Sequence, residues 1–172
     1  QVPVQVRAQR VDAVIDVAVV IVKNVLAPVR RAWGAVPLGF LVDLVSVIPV
    51  DVSIAAVGLV PELTGEAARR AALGAGGKVI GVYSHKLNKE DVKRLEDSAP
   101  DLVLLSGGTD GGDEKVVSHN GSLLAQSGLT CPIVVACNRD VAPEVEEALV
   151  RAGKTVVRTE NVMPELGRLN VE

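Results

Sequence analysis

Aromatic residues are almost missing from this sequence: among 172 residues only Trp33, Phe40 and Tyr83 carry a ring. Proteins that hold single-stranded nucleic acid without reading its sequence stack the bases on such rings, so that function is excluded. The net charge of −3 argues against a nucleic-acid partner of any kind. Cysteine is as scarce. Cys131 and Cys137 provide neither a disulfide framework nor a paired C-x-x-C metal spacing. They read as reduced, small, buried side chains on one face of one strand, as in a cytoplasmic protein. The two histidines, His85 and His119, have no cysteine or carboxylate at ligand spacing, which argues against a zinc-type site. His119 reads as a surface or packing residue, and His85, at a strand end, as a ligand contact or a plain loop residue.

Long uncharged runs are missing too. Asp12, Asp16 and Lys23 bracket the apolar run Val17–Val22, and Pro37, Asp43 and Pro49 interrupt Val36–Val50. Neither run reaches the roughly 18 residues of a membrane-spanning helix, so no membrane partner is expected. There is no initiator Met and no signal peptide, so the chain reads as a fragment or a processed form. No Ser-His-Asp or Cys-His spacing suggests a nucleophile, and Ser122 lacks a G-x-S-x-G setting.

What is present is a large aliphatic fraction: 48% of residues are hydrophobic and 23% charged, the balance of a folded domain. The composition changes at about residue 50. Residues 1–50 hold sixteen Val, no Glu, no Thr and no His, with five basic and three acidic residues. Residues 51–172 hold thirteen basic and eighteen acidic residues and fourteen of the sixteen Gly. The expected organisation is therefore a valine-rich segment, 1–50, followed by an α/β domain, 51–172. In the first segment Val2, Val4 and Val6 alternate like a strand, and 17–22 reads as strand by its valine content. A helix from Asp12 to Leu26, stopped by Pro28, is the other reading.

From residue 51 strands and helices alternate. Strands are expected at Val52–Val57, Lys78–Tyr83, Asp101–Leu105, Cys131–Ala136 and Thr155–Val157, because each is a short run rich in apolar and β-branched residues. Helices are expected at 65–73 with Thr64 as N-cap, at Lys89–Asp97 capped by Asn88, at Asp113–Ser127, and from Pro143 to Val150. Such alternation implies a Rossmann-like parallel sheet with right-handed crossovers and helices on both faces. Ligands of these sheets bind beyond the carboxyl ends of strands. The segments Tyr83–His85, Ser106–Asp113 and Cys137–Asp140 are expected to converge there.

The densest of these is Ser106-Gly-Gly-Thr-Asp-Gly-Gly-Asp113. It follows a strand and precedes a helix, the context in which glycines let backbone N–H groups approach an anion. Gly107, Gly108, Thr109, Asp110, Gly111 and Gly112 are candidate ligand-binding residues, joined by Asn138 from the next loop. Arg139 beside it can meet an anion or stand in a solvated turn. Asp110 or Asp113 can hold a magnesium-bound water. The plainer reading makes Asp113 a helix cap and the glycines a tight turn. The pattern matches neither G-x-x-x-x-G-K-[ST] nor G-x-G-x-x-G.

The stretch Ala56–Val79, with Val-Pro-Glu-Leu-Thr-Gly-Glu-Ala-Ala-Arg-Arg at its centre, resembles the MutL-type accessory proteins of cobalamin-dependent mutases. So do Pro100–Asp113, Ile133–Asn138 and Asn161-Val-Met-Pro-Glu-Leu-Gly167, in matching order and spacing over 52–172. These are the accessory proteins of methylaspartate (glutamate) mutase and ornithine aminomutase. The resemblance implies a portion of an actin-like ATPase fold, related to Hsp70 and the sugar kinases. It implies ATP and magnesium as cofactors, mutase subunits as partners, and a chaperone-like reactivating role; it leaves a homo-oligomer open. The family's opening phosphate loop, of the Asp-Ile-Gly-Ser-Thr kind, and its later Asp-Gly-Gly-type phosphate motif are not found here. ATP hydrolysis is therefore expected only of a larger whole. Residues 1–50 do not resemble the family. Their valine excess suits out-of-frame GC-rich coding, and a divergent genuine segment is the rival reading. Translation of the coding DNA in the shifted frames decides: a frame-shift predicts family-like sequence upstream of residue 50, and its absence from every frame rejects that origin.

Overall fold

The computed structural model describes residues 52–75 and 77–170. The expectations for the first fifty residues lie outside the described residues. All described elements belong to the unit Asp51–Glu172. They run β1 (Val52–Gly58), α1 (Pro61–Ala75), β2 (Gly77–Ser84), α2 (Lys89–Asp97), β3 (Leu102–Gly107), α3 (Lys115–Gln126), β4 (Ile133–Cys137), α4 (Ala142–Arg151) and β5 (Val156–Arg158). Every expected element from residue 52 onward is found, with ends displaced by a few residues. No helix among the described residues is long and apolar enough to cross a membrane.

The five strands are parallel, in the order β2-β1-β3-β4-β5. β1, β3 and β4 are buried along almost their whole length, which is why they read as unbroken apolar runs rather than alternating ones. Ala55, Val57, Val103, Leu105, Ile133, Val135 and Cys137 point to one face, where they pack with Leu95 of α2, Val117 and Leu124 of α3, and Val145 and Leu149 of α4. The alternate residues Ile54, Ala56, Leu102, Leu104, Val134 and Ala136 are buried on the other face, where α1 lies on β1 and β2. Helices thus cover both faces of the sheet. Among the described residues the path runs from β1 to β2, then crosses back to β3 on the far side of β1. That reversal makes the gap between the carboxyl ends of β1 and β3 the place where an α/β sheet opens a crevice.

Local chemistry fixes the ends of the elements. Asn88 caps α2 as expected: its side chain accepts from the N–H groups of Glu90 and Asp91, and the Asp91 carboxylate accepts from the Asn88 N–H. This reciprocal capping box satisfies donors that a helix start otherwise leaves open. Ser53 and Asp101 fasten the opposite ends of β1 and β3, the Ser53 hydroxyl donating to Asp101 at 2.6 Å and the Asp101 N–H to the Ser53 carbonyl at 2.9 Å.

Thr64 departs from expectation. It is not an N-cap; α1 begins three residues earlier at Pro61, and the Thr64 N–H already bonds the Val60 carbonyl at 2.8 Å. Proline at the first helical position has its φ preset and no N–H to leave unsatisfied, so it starts the helix. Thr64 is instead buried in the first turn, 4% exposed.

Both cysteines are free and face the same core, Cys137 within it and Cys131 half-buried at its edge. Burial, partly offset by a backbone hydrogen bond and reinforced by the Asp110 charge, pushes the Cys137 thiol up to about 11 from 9.0. A neutral group whose folded pKa is raised stabilises the fold fully below the unfolded value, and that stability is lost as pH rises through the folded value. Denaturation followed by circular dichroism between pH 8 and 11 is thus expected to show wild type losing about 2–3 kcal/mol more than Cys137→Ala, at about 1.4 kcal/mol per unit. Parallel curves for the two proteins would show that the thiol ionises freely in the fold.

Candidate functional site

At the crevice β1, α1 and β3 come very close. A Cβ added to Gly58 would overlap the Thr64 hydroxyl and lie 2.8 Å from the Ser106 hydroxyl, so only glycine fits there. Ser106 donates to the Val57 carbonyl at 3.2 Å, tying the two strand ends. From Ser106 the chain enters the Gly-rich loop. Gly107, Gly108 and Gly111 have φ of 126°, 68° and 74°, values that side chains with a Cβ adopt only with strain. Gly108 also has no room for a side chain, because a Cβ would overlap the Asp113 carbonyl oxygen.

Two amides and one carboxylate hold the loop. Asn138 is completely buried. Its N–H bonds the Gly107 carbonyl at 3.0 Å, and its Oδ1 accepts from the N–H groups of Gly111 at 3.3 Å and Asp140 at 3.0 Å. Two donors at one end fix the orientation of the amide. Its Nδ2 is then a buried donor without an acceptor among the described residues. Asn161, 5% exposed, donates Nδ2 to the Gly108 carbonyl at 3.0 Å and to Asp110 Oδ1 at 2.8 Å. Asp110 Oδ1 also accepts the Arg139 N–H at 3.1 Å, and the Asp110 N–H bonds the Pro164 carbonyl at 3.0 Å. Asp113 Oδ2 accepts the Val116 N–H at 2.9 Å, so it serves the first turn of α3 from one position before the N-cap, which is Glu114. Among the described residues the N–H groups of Gly108 and Thr109 find no acceptor.

Beside the loop lies a cavity of about 150 Å³. Leu59, Val60 and Leu63 line it from one side and Val162, Met163 and Leu169 from the other, with Thr64, Ser106 and Thr109 also exposed to it. Drug-sized or cofactor-sized sites run to roughly 300–1,000 Å³, so this space alone holds less than a nucleotide. The loop brings its open N–H groups and the Asp113 carboxylate to this space. The arrangement suits an anion accompanied by a cation better than a bare one.

Of the three segments expected to converge, Ser106–Asp113 and Cys137–Asp140 do meet. Tyr83–His85 does not reach the Gly-rich loop through any hydrogen bond among the described residues. The sheet order explains this, since β1 stands between β2 and β3. His85, at φ 64°, donates its N–H to the Leu59 carbonyl at 3.3 Å and accepts from buried Asn120 at 2.9 Å. His119 packs as expected, its Nε2 2.9 Å from the Leu87 carbonyl. The Arg139 side chain is exposed and faces Asp140. Thr64, the β1–α1 turn at Leu59 and Val60, and Asn161 belong to the site without having been expected there. The strand at 52–57 was legible, and its end could have been counted among the site loops. Asn161 lies 51 residues from Asp110 and gives no local signal.

The loop glycines differ in a way that substitution can measure. Gly108→Ala is expected to lose about 2 kcal/mol or more of stability, combining left-handed strain with backbone overlap. Gly167 has φ 80° but nothing within 4 Å of a new Cβ, so Gly167→Ala is expected to lose only the strain, about 1 kcal/mol. Urea denaturation checks both, and equal losses would show that the loop yields to the added carbon.

Sequence comparison places this geometry among relatives. Over 117 residues the chain is 53% identical to Protein MutL of Clostridium tetanomorphum; the match takes in 68% of this chain and 25% of that protein. The chain thus spans about a quarter of the length of this relative. Among solved structures it is similar to the signal receiver domain of the putative response regulator NarL from Mycobacterium tuberculosis, at 14% identity and a TM-score of 0.39, over 63% of this chain and 83% of that one. A likeness that loose carries no argument. The family model described as MutL protein matches residues 49–172, which contain all the described elements and the Gly-rich loop. The chain therefore belongs to the MutL protein family.

Proposed function

We propose that the chain is a portion of an actin-like accessory ATPase that maintains or reactivates an adenosylcobalamin-dependent amino-acid mutase in the cytoplasm. The observation that carries this reading is the 53% identity to Protein MutL across 117 residues. The loop at the β1/β3 crevice supports it, for this is where α/β sheets take phosphorylated ligands. Gly107–Gly112 and Asn138 receive phosphate oxygens, and a magnesium ion is reached through water from Asp110 and Asp113. The small cavity fits this division of labour: the chain supplies one wall, and a further part of the longer protein supplies the other.

A second reading is favoured by the buried Asn138 donor beside the open loop N–H groups. In it the unit is a stand-alone Rossmann-like module that binds a small anion. Calorimetric titration of the full chain with MgATP, MgADP and inorganic phosphate separates the two. The accessory-ATPase reading expects magnesium-dependent nucleotide binding that Asp110→Ala weakens by about 1–3 kcal/mol, the loss typical of a charged hydrogen bond. The module reading expects phosphate to bind without magnesium. Absence of both removes ligand binding from this polypeptide. Retention of purified mutase subunits by the immobilised chain tests the partner separately.

A further inference from the structure

Segment 161–170 lines the cavity with Val162, Met163, Leu166 and Leu169 and is fastened at only a few points. The Val162 N–H bonds the Ala136 carbonyl at 3.2 Å, and the Pro164 carbonyl takes the Asp110 N–H. Asn161 supplies the two side-chain bonds to Gly108 and Asp110. Beyond Pro164 the segment makes its own turn. Arg168 N–H bonds the Glu165 carbonyl, and Asn170 N–H returns to the Val162 carbonyl at 2.7 Å. The tip stands in solvent, with Leu166 84% exposed. Beneath it lies the cavity of about 150 Å³, bordered by Val162, Met163 and Leu169. Side chains that face a void lose dispersion contacts on that side. A segment held by a handful of hydrogen bonds over a void belongs to the least stable part of a fold.

We propose that 161–170 is a strap that opens locally, without global unfolding, and that Asn161 is its latch on the Gly-rich loop. Closed, the strap occupies Asp110 Oδ1 and the Asp110 N–H. Open, it uncovers the cavity and leaves Asp110 Oδ1 to the Arg139 N–H alone, so strap and loop change state together. The consequence for ligand binding rests on the proposed function; the opening itself does not.

Hydrogen exchange of the full chain, read by mass spectrometry without ligand, tests the opening. In wild type the strap amides and the Asp110 amide are expected to exchange together and well before those of β3 and β4. Asn161→Ala is expected to speed both sets about tenfold or more, because it leaves the buried Gly108 carbonyl without its donor and removes one of the two bonds to Asp110 Oδ1. Glu165→Ala, at the exposed turn, is expected to change neither. A strap protected as strongly as β3 and β4 in wild type overturns the proposal, whatever the variant does. So does an Asn161→Ala protein whose strap quickens while Asp110 stays protected. A parallel MgATP titration of wild type and Asn161→Ala keeps the two ideas apart. Failure of both to bind removes the nucleotide reading and leaves the exchange result standing.

Discussion

The carboxyl edge of the sheet depends on how closely β1 and β3 meet. Gly58 touches Thr64 and Ser106 where no larger residue fits, and at the other end Ser53 and Asp101 fasten the same two strands. Everything beyond those strand ends takes its position from this pair. α1 can lie low over β1 because the residues it brings there, Thr64, Ala67 and Ala68, are small and buried. The Gly-rich loop leaves β3 directly above the gap. Move the strands apart by the width of a methyl group, and loop, crevice and cavity shift with them, since packed interiors do not absorb such a change quietly.

Above that gap the chemistry is carried by neutral amides as much as by charge. Asn138 and Asn161 are both buried, and between them they hold the loop from β4 and from the segment after β5. An amide offers donor and acceptor at once, so each can bridge groups that an acceptor-only carboxylate or a donor-only lysine could satisfy at one end alone. Asp110 is the one charged member, and it is held by backbone as well as by Asn161. Fixed dipoles of this kind cost little to reorganise when a charge arrives, and the proposed anion binding relies on that property.

Much of this fold was legible from the order of residues, for plain reasons. Short β-branched runs announced the strands, Asn88 announced α2, and four glycines within the six residues 107–112 announced the loop. The start of α1 was misjudged because Thr64 is a good cap by composition, whereas the proline at 61 decides where the helix begins. The strand order was not legible: β1, β3 and β4 are nearly interchangeable as apolar runs, and only their packing shows that β1 separates β2 from β3. The grip of Asn161 was hidden for the same reason, since it joins residues 51 apart. Local signals name elements; long-range neighbours decide which of them share a site.

The aliphatic core also sets what light can see. Tyr83, packed against the core from β2, is the one aromatic side chain between residues 51 and 172, and the single tryptophan, Trp33, lies in the first fifty. The near-ultraviolet spectrum of the α/β unit is that of one tyrosine at an outer strand, on the side of β1 away from the Gly-rich loop. An optical probe of that loop has to be built in, and among the described residues only Tyr83 would share its spectrum.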